Sequence, residues 1–171
     1  PLYSSAASDV YKRQGYVKMS GNLEWIGVRD KSGDIKSTES VMALEGRGLQ
    51  GDKITLKKSK KRQVTLMQKE HISVILSLAQ EQDQSKINRI EYYFKRNLLI
   101  SKYNIDNLKG KYFRIGKAKF FGTGDCKPCK KIEILLGKTM LDAMQGMGGI
   151  TASVVESGEI KINDNLYLEV N

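Results

Sequence analysis

Residues 111–124 read KYFRIGKAKFFGTG. Two short runs, KYFRIG and KAKFFGTG, meet at Gly116, and glycine between short apolar and aromatic runs marks strands joined by a tight turn. The same grammar recurs in LEWIGV (23–28), ESVMALE (39–45), RQVTLM (62–67), NLLIS (97–101), ITASVVE (150–156) and NLYLEV (165–170), with glycine or Asn/Asp between them. One stretch changes period. In KEHISVILSLAQ (69–80), Ile72, Ile75, Leu76 and Ala79 fall at i, i+3, i+4 and i+7 and form one helical face. The polar EQDQSK (81–86) ends that helix, and KTMLDAMQ (138–145) is a second, short amphipathic one. Many short strands with few helices predict a mainly β fold, a closed or partly closed barrel with helix 69–80 packed outside it. No repeated strand–helix–strand rhythm supports a doubly wound sheet.

The chain has 171 residues and a formal charge of +10. Residues 4–14, SSAASDVYKRQ, resemble a translated sequencing adaptor, so residues 1–18 are set aside as a non-native or disordered N-terminal segment and residues 19–171 are read as one domain. Setting them aside removes Lys12, Arg13 and Lys18 against Asp9 and leaves the rest strongly basic. Such a field favours anionic partners. The densest cluster, LKKSKKRQ (56–63), carries Lys57, Lys58, Lys60, Lys61 and Arg62 and reads as a solvated loop leading into a strand. No run is long and apolar enough to span a membrane and no signal-peptide pattern is seen, so a cytoplasmic location is expected.

Both cysteines lie in GTGDCKPCKKIE (122–133), as Cys126 and Cys129, with Lys127, Lys130 and Lys131 beside them. A CxxC pair can be half a zinc site, but zinc takes about four ligands, and His71 is the chain's one histidine. A thioredoxin-like dithiol expects a βαβ context that the pattern lacks. A third reading is a thiolate that ligates a soft metal or carries sulfur, in the electropositive setting where thiolate chemistry is found. Pro128 stiffens the loop, and KKIEILL (130–136) opens a helix after it. Two glycine-rich turns, GRGLQGD (46–52) and GMGGI (146–150), are either barrel corners or close-approach sites for an anion.

In order along the chain, GLQGD, RQVTLMQKE, FKRNLLIS, LKGKYFRIGKAKFFGTGDCKPC and GMGGITASVVESGEIKINDNL make the sequence from about Leu23 to Val170 resemble the MOSC domain, named for the C-terminal domain of molybdenum-cofactor sulfurases. The resemblance implies a MOSC-type β-barrel with a few peripheral helices. It implies molybdenum cofactor (molybdopterin) as the ligand and Cys129 as the catalytic thiol, either metal ligand or sulfur carrier, with Cys126 as its companion. The family's F-R-R-N element reads Phe94, Lys95, Arg96, Asn97 here, so Lys95, Arg96 and Asn97 are expected to bind the anionic cofactor, with Gly51, Asp52, Gly148 and Gly149 as further contacts. Lys102, Met147 and Lys53 stand where the family has a usual glycine, an arginine and a frequent histidine.

The function implied is that of a stand-alone MOSC protein whose thiol serves sulfur transfer or the reduction of N-hydroxylated compounds. The implied partner is a cysteine desulfurase in the first case and a redox partner in the second. The pyridoxal-phosphate domain of full sulfurases is not in this chain. The alternative is a non-catalytic basic barrel that binds nucleic acid. Its stacking surface is thin, because Tyr92, Tyr93 and Phe94 are adjacent rather than alternating on one strand face.

Overall fold

Residues 14–170 are described by the structure, a computed structural model. Residues 4–13 of the adaptor-like stretch therefore lie outside the described residues.

The strands are β1 (Tyr16–Arg29), β2 (Ile35–Ser37), β3 (Ser40–Leu44), β4 (Gly48–Leu49), β5 (Val64–Gln68), β6 (Leu98–Ser101), β7 (Tyr112–Ile115), β8 (Ala118–Asp125), β9 (Ile150–Glu156), β10 (Gly158–Lys161) and β11 (Asn165–Glu169). The helices are α1 (Lys69–Ala79), α2 (Gln84–Ile87), α3 (Ile90–Phe94), α4 (Lys130–Leu136) and α5 (Lys138–Ala143), with 3-10 turns at Lys53–Leu56 and Ile105–Leu108. Seven strands hydrogen-bond in the order β11-β7-β8-β9-β5-β6-β1, and β1 pairs back onto β11, which closes the barrel. The hairpin of residues 111–124 is β7 and β8, paired from Ile115↔Ala118 to Tyr112↔Phe121. Closure leaves these strands no free edge, while β2 extends β1 outside the ring.

Two cores follow from the two faces of the strands. Inside the barrel, Leu23, Ile26, Leu66, Leu98, Ile100, Phe113, Phe120 and Leu166 pack together, with Phe113 and Phe120 stacked at 5.5 Å between ring centroids. A small sheet of order β10-β3-β4 adds Ala43, Leu49 and Ile160 to that core. On the outer face, Met67 of β5 and Leu99 of β6 pack against Ile72 and Ile75 of α1, Phe94 of α3, Ile132 of α4 and Met140 of α5. β5 and β6 are thus buried on both faces, which is why NLLIS reads as an unbroken apolar run. They are also the barrel's parallel pair, with Leu66↔Leu98 and Gln68↔Ile100 in register. A parallel pair needs a long crossover, and residues 69–97, carrying α1 to α3, supply it.

The expected β-barrel with helix 69–80 outside it is what the structure shows. Three differences have physical reasons. β1 begins at Tyr16, so the boundary expected at residue 18 cuts a paired strand: Tyr16, Val17 and Lys18 register with Glu169, Leu168 and Tyr167, and Tyr16 is buried. EQDQSK does not only end α1. Asp83 within it accepts from Ser85 N at 3.0 Å and caps the start of α2. The segments β2, β4 and β10 are two to four residues long, too short to show a period.

Phe120→Ala should lower the free energy of unfolding by about 3–5 kcal/mol, the usual scale for truncating a buried aromatic. Urea denaturation followed by far-UV circular dichroism measures this, and a loss below about 1 kcal/mol would place the ring outside the cooperative core.

Candidate functional site

Asn97 sits at the start of β6 and is fully buried. Its Nδ2 donates to Gly27 O at 2.9 Å and to Asp52 Oδ2 at 2.8 Å. Its Oδ1 accepts from Thr65 N at 3.0 Å and from Arg29 NH2 at 3.3 Å. One amide thus ties β1, β5 and the turn after β4 together. Asp52 is buried as well and takes Arg29 in a fork, Nε to Oδ2 at 3.0 Å and NH2 to Oδ1 at 3.1 Å. Burial by itself would raise the Asp52 carboxyl, but its hydrogen bonds and charge contact with Arg29 outweigh that and hold it below the ordinary value.

The two residues before Asn97 turn outward. Lys95 adopts the left-handed region at φ 53° and sends Nζ to Gly33 O at 2.9 Å. Arg96 is buried and clamps backbone: Nε donates to Gly148 O at 2.8 Å, NH1 to Phe94 O at 3.0 Å and NH2 to Cys126 O at 3.5 Å. Burial lowers the Arg96 guanidinium from its ordinary value, and the charges of Arg62 and Arg29 act the same way, yet an arginine stays cationic in proteins.

These residues border a cavity of about 270 Å³. Six cationic side chains line it, Arg29, Lys53, Arg62, Lys95, Arg96 and Lys131, together with Cys129 and an apolar wall of Tyr93, Phe94, Ile132 and Leu135. No Asp or Glu is among the lining residues. Burial and the charges of Lys131, Arg29, Lys57 and Lys95 lower the Lys53 ammonium.

The two thiols part company here. Cys126 is buried, and its N donates to Gly149 O at 2.8 Å, continuing the β8–β9 pairing. Cys129, three residues on, is exposed at the N-cap of α4 and faces the cationic cavity. Cys126, Gly148 and Gly149 border a different cavity of about 380 Å³ on the other side of the loop.

Of the residues singled out in the sequence, Cys129, Lys95 and Arg96 share one cavity, and Asp52 holds the Arg29 that lines it. Asn97 does not reach that cavity: its amide is consumed by the network beneath. Gly51 is not among the lining residues either. Four of the lining cations have no assignment from the sequence. Arg29 ends a strand and carried no signal. Arg62 was one charge among several in a cluster read as solvated. Lys53 and Lys131 were noted only as neighbours of other residues.

Among the described residues, no three or more His, Cys, Asp or Glu side chains gather into a metal cluster. One thiol does not make a site for a bare ion, whereas a metal that brings its own organic ligand needs only one protein donor. A model of the MOSC domain matches residues 51–167. The chain belongs to the MOSC domain family. MOSC domains are associated with the molybdenum cofactor. A solved structure of the YuaD protein from Bacillus subtilis superposes with a TM-score of 0.73 at 16% identity, covering 90% of this chain and 97% of that one. YiiM from Escherichia coli gives 0.62 at 22% identity, covering 88% and 70%, and YiiM from Geobacillus stearothermophilus 0.64 at 15%, covering 88% and 75%. These likenesses establish the barrel fold. No curated protein matches the sequence. No helix among the described residues is long and apolar enough to cross a membrane.

Asp52→Asn should cost about 3–5 kcal/mol, because it leaves Arg29 without its buried counter-charge. The pH sign follows from the lowered carboxyl. Its stabilisation is fully present above the unfolded-state value, about 3.9, and is lost as pH falls through the folded one. Acid titration of unfolding free energy should therefore slope downward below about pH 4 in the wild type, with a shallower slope in the variant.

Proposed function

We propose that this MOSC domain binds the molybdenum cofactor in the cationic cavity, with the Cys129 thiolate directed to the metal. The observation that supports this is the exposed thiol sharing one cavity with six cationic side chains and no carboxylate. A bound cofactor supplies a redox-active metal on a phosphate-bearing organic ligand. The side chains of Lys53, Arg62 and Lys131 have no hydrogen-bond or ion-pair partner among the described residues and are the free donors for the phosphate. Arg62 offers a planar fork suited to phosphate, the lysines point charges. Tyr93, Ile132 and Leu135 supply an apolar wall for a flat ring. Cys129 gives the soft sulfur donor that a soft metal takes.

Arg96 acts as a positioning residue. With its guanidinium fixed on Gly148, Phe94 and Cys126 carbonyls, it sets where the loop from Cys126 to Cys129 stands. Two uses of the thiol fit this placement. In one, it remains a ligand during reduction of an N-hydroxylated compound, with electrons from a redox partner. In the other, the Cys129 thiolate attacks the outer sulfur of a donor persulfide, such as that of a cysteine desulfurase. A new S–S bond then forms on Cys129 as the donor thiolate leaves. The exposure of Cys129 favours the second use, since another protein can reach it.

The test is expression in a host that makes the cofactor, followed by molybdenum and pterin analysis of the purified protein. Cys129→Ser should lower bound molybdenum at least about tenfold, a scale reached even by outer partners of metal ligands, while Cys126→Ser retains it. Full retention in Cys129→Ser would overturn the reading. Intact mass after incubation with a persulfide donor separates the two uses: gain of sulfur on the wild type, absent in Cys129→Ser, marks the carrier.

A further inference from the structure

The basic segment between Asp52 and Gln63 is not a loose loop. The 3-10 turn Lys53–Leu56 is capped by Asp52 Oδ1, which accepts from Ile54 N at 2.9 Å. Gln63 is buried, donates Nε2 to Ser59 O at 2.8 Å and accepts from Val154 N at 2.9 Å. Thr123 Oγ1 donates to Lys61 O at 2.5 Å, and Ser59 Oγ accepts from Arg62 N at 3.1 Å. Anchored at both ends and in the middle, the segment has its backbone held in place.

Its two ends, Lys53 and Arg62, line the Cys129 cavity. Its middle lines a separate, wider groove of about 670 Å³, where Lys57, Lys58 and Lys60 face Arg47 across the turn after β3. The charged side chains of those four have no ion-pair or hydrogen-bond partner among the described residues. The ion pairs lie elsewhere, on Glu24, Asp34, Asp52, Asp106, Asp125, Glu156, Glu159 and Glu169. In the same groove Leu56 stands 70% exposed.

We propose that this groove is a docking surface for an acidic protein that presents an apolar side chain to Leu56 and comes to rest beside the mouth of the Cys129 cavity. Fixed cations around an exposed leucine match a protein partner, with charge for steering and an apolar anchor for contact. Nucleic acid fits less well. The groove offers no aromatic ring for base stacking. What the docked protein does rests on the role of Cys129 proposed above; the docking itself does not.

The probes are a short glutamate-rich peptide with one central leucine, the same peptide with serine in its place, and an oligothymidylate of equal charge, each followed by fluorescence anisotropy at low salt. The leucine peptide should bind the wild type most tightly. The double variant Lys58→Glu, Lys60→Glu should weaken it at least about tenfold, and Leu56→Ser should erase its advantage over the serine peptide. Molybdenum content should match the wild type in both variants, so loss of docking and loss of cofactor are read separately. Tighter binding of the oligothymidylate, equal binding of the two peptides, or no effect of charge reversal would each overturn the proposal.

Discussion

Asn97 has four hydrogen-bonding positions on its side-chain amide and no access to water. Each missing partner would cost the desolvation of a buried polar atom, about 1–3 kcal/mol. The structure spends Gly27 O, Asp52, Thr65 and Arg29 on this one group. Its backbone is held as firmly, with Asn97 N donating to Thr65 Oγ1 at 3.0 Å and Asn97 O accepting from Gly27 N at 2.7 Å. The consequence is positional. Where the crossover from α3 re-enters the barrel, the chain is fixed against two strands, so Lys95 and Arg96 leave the barrel at a set place. Arg29 is fixed from the other side by the same amide and by Asp52. The cation-lined cavity is therefore an outgrowth of how the parallel pair β5–β6 is joined to β1.

From that fixed point the site is built by carbonyls as much as by side chains. Arg96 spans Phe94, Gly148 and Cys126 and so links the crossover, the approach to β9 and the cysteine loop. Gly148 and Gly149 serve the same closeness. A Cβ on Gly148 would meet Cys126 O at 2.3 Å, and one on Gly149, at φ 95°, would meet Leu66 O at 2.0 Å. The glycines are spent on backbone packing. With Cys126 drawn into strand pairing there, Pro128 and the turn into α4 carry Cys129 to the opposite side. Spacing of three residues across a strand end and a helix start is enough to give one thiol to the core and the other to the cavity.

Much of this was legible in the sequence, and the rest was not, for reasons that differ. Barrel strands such as KYFRIG and NLLIS announce themselves because burial dictates their residue types. β4 and β10 do not, because a pairing of a few residues is dictated by what lies beside it. Cys129 is singled out by the family resemblance and the lysines after it, and it is the thiol that lines the cavity. Arg29 and Arg62 could not be singled out, since each joins the cavity from a distant element, and nothing local separates a cavity arginine from a solvated one. Asn97 shows the converse: adjacency to Lys95 and Arg96 suggested a shared role. However, neighbours at the start of a strand point to opposite faces, so Asn97 faces the network while Arg96 faces the loop.

The cation cluster also has a thermodynamic meaning. Like charges brought together raise the free energy of the folded state, and the Lys53 ammonium is lowered by burial first and by neighbouring cations after it. Asp52 neutralises Arg29 alone, and Asp34 stands 3.8 Å from Lys95, so Lys53, Arg62 and Lys131 remain without compensation among the described residues. A fold that retains this arrangement has a standing gain available to any ligand that brings negative charge into the cavity. Such a ligand binds the native state and not the unfolded chain, so it stabilises the protein by mass action. The apolar side chains in the same lining narrow the choice further. A hydrated inorganic anion gains little from Tyr93, Ile132 and Leu135, whereas an organic anion with a flat ring uses both kinds of side chain at once. Cations, apolar side chains and a single thiol thus line one cavity, and the barrel brings them together near the point where its parallel strands meet β1.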